Sequence, residues 1–420
     1  VNLSGMDLSG TTLIQANLSG TNLSGVDLRD KDLTGANLSG VDLSGKDLSG
    51  TTLTQANLSG ANLSGVDLSG MDLRGTILVR ANLSGTDLRS TIHFTPDTSP
   101  DTHQVVQRQA DGTGSIPISG TLASSYDLIE ARTVPIDLDG SDADEPNQWT
   151  TVNAMSDSTG TKFSGSLEES TGWYRLELRF SMNGNLVDSI SISPIGVGEI
   201  FIIAGQSNSA NYGIPRQTPS DSRVSAWGKR GWQFASDPQP IATGGGGSPW
   251  PLLGDLLATR YDMPIGFISV GWGGTKVEQW LPRSTDKFDR IVMALNEVGP
   301  QGARALLWHQ GESDVGIEKE KYTLMLKEVI NASRIEAGWE LPWGVARASI
   351  CVNKGSEKIV NAQQSVIDDD PLVFEGPNTD KMIGSAWRYD VCHFNENGLT
   401  EHARGWYNAI TVLLQQIIKK

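Results

Sequence analysis

Glu199-Ile200-Phe201-Ile202-Ile203-Ala204-Gly205-Gln206-Ser207-Asn208 decides how the second half of this chain is read. Five consecutive apolar residues closed by turn formers mark a buried strand, and a serine just past such a strand sits where parallel sheets keep their ligands. Ser207 is therefore the candidate nucleophile. A Gly-x-Ser turn is common in loops, so the assignment needs partners from elsewhere in the chain.

Downstream, strand and helix patterns alternate. Apolar runs at Pro264–Val270, Ala303–Trp308 and Trp343–Ser349 precede helical stretches at Val277–Glu297, Asp314–Ala337 and Ser356–Asp368, and a last helix spans Leu399–Ile418. Such alternation implies right-handed crossovers and a parallel sheet whose strands end on one edge. Three further polar segments fall on that edge: Gly271-Trp272-Gly273-Gly274-Thr275, His309-Gln310-Gly311-Glu312-Ser313-Asp314, and Asp390-Val391-Cys392-His393-Phe394. A serine hydroxyl needs a base within reach and a third group to orient that base. Of the five histidines, His93 and His103 precede this region and His402 lies inside the last helix, which leaves His309 and His393. Only His393 has a carboxylate, Asp390, three residues before it.

The ordered motifs Gly205-Gln206-Ser207-Asn208, Gly273-Gly274-Thr275, Gln310-Gly311-Glu312-Ser313-Asp314 and Asp390-x-x-His393-Phe394 resemble the SGNH hydrolase superfamily. Within it they resemble the carbohydrate acetylesterases that include sialate O-acetylesterases and acetylxylan esterases. The resemblance implies an α/β/α domain with a parallel sheet over residues 198–420. It also implies that Ser207 attacks the ester carbonyl, His393 takes and returns the proton, and Asp390 orients His393. The oxyanion is then held by the backbone amides of Ser207 and Gly274 and by a side-chain amide. Where the superfamily usually has Gly-x-Asn-Asp, this chain has Gln310-Gly311-Glu312-Ser313, and Gln310 is taken as the donor, as in the acetylesterase branch. Trp272 and Asn208 are the expected substrate contacts. Gly244–Gly247 is a candidate flexible lip. Nothing here calls for a metal or cofactor. The two cysteines, Cys351 and Cys392, both fall near strand-end loops, where a bridge would pin the loop of His393.

Ahead of this module, leucine recurs at every fifth position from Leu3 to Leu88, eighteen times. Neither a helix nor a strand generates that period. The position two before each leucine is mostly small or modestly apolar (Ala16, Ala36, Val41, Ala56), and turn formers follow it. Residues 1–92 thus resemble the pentapeptide-repeat family, which implies a right-handed quadrilateral β-helix with one coil per twenty residues. Thr11–Leu18 returns, nearly unchanged, as Thr51–Leu58, two coils on. Lys31 and Lys46 occupy inward positions and are expected to snorkel. The repeats hold no His or Cys, so a rigid stalk or interaction surface is the expected role.

Between the two, Thr95–Thr102 reads as a linker, and period-two runs such as Tyr174–Phe180 predict an antiparallel β-sandwich within residues 93–197. That segment holds fifteen acids and five bases, so it carries −10 of the net charge of −16. The acidic run Asp137–Glu145 lacks EF-hand spacing and is read as a solvated loop, with Ca²⁺ binding as the alternative. The overall negative charge argues against nucleic acid and anionic membranes, and no apolar run approaches the ~20 residues that span a bilayer. The expected protein is a surface-associated or secreted serine esterase acting on an acetylated glycan or polysaccharide, its stalk docked on a larger assembly such as a cell surface or viral tail. The rival is a non-catalytic glycan-binding adhesin with an esterase-like module.

Overall fold

A computed structural model describes residues 2–8, 10–69, 71–73, 76, 81–82, 86, 100–122, 126–157, 160–182, 185–229, 231–352 and 354–418. In the first part, the leucine register becomes a stack of twenty-residue coils. Parallel bridges join Asn2 to Asn22, Asn17 to Asn37, Asn37 to Asn57 and Asn62 to Asn82. Coils hydrogen-bond to the next coil, as in Leu18 N–H to the Asn37 carbonyl at 2.8 Å. Asn or Asp before many of the leucines closes an Asx turn: Asn37 Oδ1 accepts the Ser39 N–H at 3.1 Å. Those turns keep each leucine pointing inward, where Leu33, Leu38, Leu53, Leu58, Ala36 and Ala56 are buried together. Lys46 turns its ammonium to the Val26 carbonyl at 2.9 Å. Leu78, Leu83, Leu88, His93 and linker residues 95–99 lie outside the described residues.

The middle segment contributes β1 (Val105–Gln107), β2 (Thr113–Leu122), β3 (Leu128–Pro135), β4 (Thr150–Thr151), β5 (Asn153–Asp157), β6 (Gly160–Ser170) and β7 (Gly172–Met182). Strands β2, β6 and β5 form one antiparallel sheet, and β3 and β7 pair antiparallel in another. The inward residues of both, including Ile116, Ile118, Phe163, Leu176, Leu178 and Phe180, share one core.

The strand that follows, β8 (Asn185–Gly205), joins this segment to the rest. It pairs antiparallel with β7 over its first part and parallel with strands of the central sheet over its last, so the anticipated 197/198 boundary falls inside one strand. Glu199 lies at the junction with no solvent exposure, held by Arg108 Nε at 2.7 Å, Arg304 Nε at 2.6 Å and Gln107 Nε2 at 2.8 Å. A buried carboxylate is tolerated there because two guanidinium groups neutralise it and its oxygens are hydrogen-bonded.

Beyond Gly205 come β9 (Val224–Gly228), β10 (Gly231–Phe234), α1 (Trp250–Tyr261), β11 (Ile265–Ser269), α2 (Lys287–Val298), β12 (Ala305–His309) and α3 (Lys319–Ala337). They are followed by β13 (Trp343–Arg347), α4 (Glu357–Asp369), β14 (Val373–Asn378) and α5 (Glu396–Ile418). The central order is β10-β9-β11-β8-β12-β13-β14, parallel except for β10 against β9, so the sheet is mixed rather than wholly parallel. The helix expected over 277–297 is broken, and α2 starts only at Lys287. Pro282 disfavours helical backbone at Leu281, which is extended (φ −66°, ψ 144°). The short strands β9, β10 and β14 were not anticipated.

Alternation along β8 sends Ile200, Ile202 and Ala204 to a core shared with α2, α3 and α4, and Phe201 and Ile203 to one shared with α1 and α5. With both faces covered, the apolar run is continuous. The chain leaves β8 to one side and later returns to its other side at β12, so the direction of strand addition reverses at β8. Such a reversal opens a crevice at the carboxyl ends of the strands, and Ser207 sits there.

Candidate active site

Gly205 ends β8 with φ +123°, and a Cβ there would lie 2.1 Å from the His309 carbonyl oxygen, so only glycine fits. The Gln206 N–H donates to that same carbonyl at 2.9 Å, and Ser207–Ser209 then form a single 3₁₀ turn. Ser207 is 4% exposed. Among the described residues, its hydroxyl has no hydrogen-bond partner. Nor does its backbone N–H, or that of Gly274, donate to another protein group. Gly274 has φ +71°.

His393 and Asp390 are held together. The His393 Nδ1 lies 2.7 Å from Asp390 Oδ2, while Asp390 Oδ1 accepts the backbone N–H groups of His393 at 2.6 Å and Cys392 at 3.1 Å. Burial pushes the Asp390 carboxyl up, but the His393 ring and those two amides outweigh it and hold the group below the usual carboxylate range. An ionised Asp390 only accepts, so the proton shared between the two sits on His393 Nδ1. Tyr212 stacks on the His393 ring at 5.3 Å between centroids and Tyr389 at 6.2 Å, and the Tyr389 hydroxyl donates to the Tyr212 carbonyl at 3.0 Å. A Cβ on Gly273 would lie 2.4 Å from the Tyr212 hydroxyl, so Tyr212 reaches from His393 to the glycine loop.

Other expected site residues stand elsewhere. The Gln310 side-chain amide is fully buried and donates to the Thr275 carbonyl at 3.0 Å and to Asp314 Oδ2, while its oxygen accepts the Tyr322 hydroxyl at 2.9 Å. Both amide protons are committed, so Gln310 braces the loop of Gly274 rather than offering a free donor. Asn208 is likewise committed, to Glu312 Oε1 at 3.0 Å and the Cys392 carbonyl at 3.2 Å, and ties the serine turn to the histidine loop instead of facing substrate. Trp272 packs against the main core, with Lys287 Nζ 3.8 Å from its ring centroid and the Arg290 guanidinium 4.9 Å away. Gly244–Gly247 is not a free lip: Gly246 N–H bonds the Asn211 carbonyl at 2.8 Å, and Gly247 exchanges backbone bonds with Gly213. In the acidic loop, Asp142 pairs with Arg175 and Asp139 bonds Ser141.

The Cys351–Cys392 bridge expected from the sequence holds the histidine loop, together with groups that sequence reasoning missed. The Arg388 guanidinium donates to the carbonyls of Met382 at 2.8 Å, Thr379 at 3.1 Å and Cys392, and lies over the Phe394 ring. Cys351 and Cys392 form a disulfide, with Cα atoms 4.3 Å apart. Beneath Asn208, His309 Nε2 lies 3.1 Å from Glu312 Oε1, and Nδ1 lies 3.0 Å from His402 Nε2. Trp406 donates to that same His402 nitrogen at 3.0 Å, and burial together with the charges of His309 and Arg388 holds the His402 pKa well below its ordinary value. His402 is therefore neutral. Burial pushes the Glu312 carboxyl up, but the charge of His309 and the hydrogen bonds from His309 and Asn208 leave it lowered. The pairs His309–Glu312, Arg388–Cys392 and His402–Trp406 are close in sequence, but only the tertiary fold brings them together.

A strand-end serine, a histidine with its aspartate and a paired glycine loop, all at one sheet edge, are accompanied by a family match. The C-terminal half of the chain is a carbohydrate esterase domain. Specifically, residues 197–405 match the family described as carbohydrate esterase, sialic acid-specific acetylesterase, and residues 1–30, 32–70 and 72–92 match pentapeptide repeats. A probable carbohydrate esterase of Arabidopsis thaliana is 30% identical over 149 residues, 29% of this chain and 57% of that protein. The match thus spans little more than half of that relative's length. A carbohydrate acetylesterase from Xanthomonas citri aligns over 76% of this chain and 75% of its own, with 15% identity and a TM-score of 0.49. A pentapeptide repeat protein of the Arabidopsis thaliana thylakoid lumen is 34% identical over 21% of this chain and 64% of its own, with a TM-score of 0.16.

Proposed function

We propose that the chain is a serine esterase that removes O-acetyl groups from a carbohydrate or polysaccharide through an acyl-enzyme. What supports this is the Asp390–His393 pair, whose loop is tied through Asn208 to the turn of a nearly buried, unpartnered Ser207 at the end of β8. Ser207 Oγ attacks the acetyl carbonyl carbon while His393 Nε2 takes its proton. The N–H groups of Ser207 and Gly274 receive the oxyanion, each such donor being worth about 10²–10³ in rate. Collapse breaks the bond to the sugar oxygen, which leaves with the proton from His393. Water, deprotonated by His393, then attacks the acetyl-serine and releases acetate. The architecture we assign is an SGNH-type α/β/α domain over 198–420, a β-sandwich brace over 93–197 and a right-handed quadrilateral β-helix over 1–92. The coils then serve as a stalk docked on a larger assembly, such as a cell surface or virion tail.

Acetate release from acetylated polysaccharides and hydrolysis of 4-nitrophenyl acetate test the reading. Both are expected from the intact chain, and both are lost in Ser207→Ala with the fold unchanged; retained hydrolysis in Ser207→Ala contradicts it.

A further inference from the structure

Four large apolar side chains stand in solvent around the loop of His393. Val352 is 68% exposed, Val391 and Tyr389 are each 45% exposed, and Ile214 is 43% exposed. Single exposed hydrophobics are ordinary on a protein surface; a group of them around one loop that carries His393 is not. Fixed contacts tie each of them to that loop. The Ile214 N–H donates to the Phe394 carbonyl at 3.0 Å, Tyr389 stacks on the His393 ring, and Val352 and Val391 each adjoin one half of the Cys351–Cys392 disulfide.

Both valines also carry unfavourable backbone. Val352 has φ +53° and Val391 φ +67°, a region that β-branched residues rarely adopt because the Cβ crowds the following carbonyl. Asparagine or glycine would relax both turns and suit solvent better. What valine adds at these two positions is an outward apolar surface, and strained backbone of this kind points to a functional role.

We propose that Val352 and Val391, with Tyr389 and Ile214, form an apolar lip beside His393 that packs against the C–H face of the sugar ring bearing the scissile ester. The inference rests on the esterase reading and deepens it. A pyranose presents an apolar face of ring C–H groups, and burying it against the lip removes water from the neighbourhood of Ser207 while seating the ester. The disulfide fixes the two valines as a pair, so the lip is preformed. A small ester without a ring leaves it empty.

The test is the double variant Val352→Asn, Val391→Asn. Asparagine tolerates positive φ, so the turns persist and only apolar surface is removed. With methyl 2,3,4-tri-O-acetyl-β-D-xylopyranoside as probe, kcat/KM is expected to fall about 5- to 30-fold, mainly through KM, while ethyl acetate hydrolysis stays within about twofold. Equal losses on both esters reduce the lip to a brace for His393, and no loss on either removes its role; both results overturn the proposal. In the Ser207→Ala background, calorimetry with the same xyloside reads the lip without turnover. Weaker binding in the Asn variant supports it, and unchanged binding refutes it even if the intact chain hydrolyses nothing. If instead the chain self-associates and the substitutions abolish that while leaving xyloside binding unchanged, the surface serves a second copy and the proposal is wrong.

Discussion

The coils at the N-terminus and the loops around Ser207 are stabilised by opposite kinds of contact. In the coils, partners sit twenty residues apart, one turn of the stack, as in the Asn37 to Asn57 and Asn62 to Asn82 bridges. At the site, Asn208 reaches 104 residues along the chain to Glu312 and 184 to Cys392. A coil repeats one local solution, so its damage stays local; the site is a single convergence of four loops, so a change in any loop reaches the chemistry.

Four substitutions or conditions probe that contrast. Asp390→Asn has the largest expected effect. The amide offers Nδ1 a donor as readily as an acceptor, the wrong tautomer becomes available, and kcat falls about 10³–10⁴-fold, as in Ser-His-Asp sites, far beyond the modest loss of stability from removing the carboxylate's charge. Leu38→Ala is the counterpart in the coils. It empties a fully buried position and costs the stack about 2–5 kcal/mol, seen in its thermal transition, while ester hydrolysis stays unchanged. Lost activity there would mean the two regions are energetically coupled.

Gln310→Leu separates bracing from chemistry. If Gln310 is a brace, its loss strands the Thr275 carbonyl and takes one bond each from Asp314 and the Tyr322 hydroxyl, so kcat and melting temperature fall together, kcat by about 10- to 100-fold. A loss of about 10²–10³ with the melting temperature intact would make Gln310 an oxyanion donor after all. The smallest effect is on pH. His402 stays neutral in the fold, whereas the unfolded chain takes up a proton near its ordinary value of 6.5. Stability from this group is therefore present above about pH 6.5 and declines as pH falls, by of order 1 kcal/mol at pH 5.5. Thermal melts between pH 7.5 and 5.5 should show that decline, and His402→Gln should flatten it.

The same contrast explains what was legible in the sequence. A leucine every fifth residue is a purely local rule, and the coil period followed directly from it. The strand-end position of Ser207 and the pairing of Asp390 with His393 ahead of the last helix were legible because an apolar run marks the first and a short polar motif the second. The occupations of Gln310, Asn208 and Trp272 were not, because each is set by a partner in a different segment: Thr275 for Gln310, Cys392 for Asn208 and Lys287, at the start of α2, for Trp272. Pro282 was visible as a helix breaker before α2 and was overlooked. The run of β8 through the expected boundary was hidden because alternation before Val197 and continuous burial after it read as two strands, although one backbone serves both.

The central claim is that Ser207 carries the acyl group. The most direct measurement is mass spectrometry of the chain quenched in acid during turnover of 4-nitrophenyl acetate, with the acetylated peptide sequenced. An acetyl adduct on Ser207 that disappears as substrate is exhausted is the expected result. Turnover with no adduct, or with the adduct on another residue, would contradict the account.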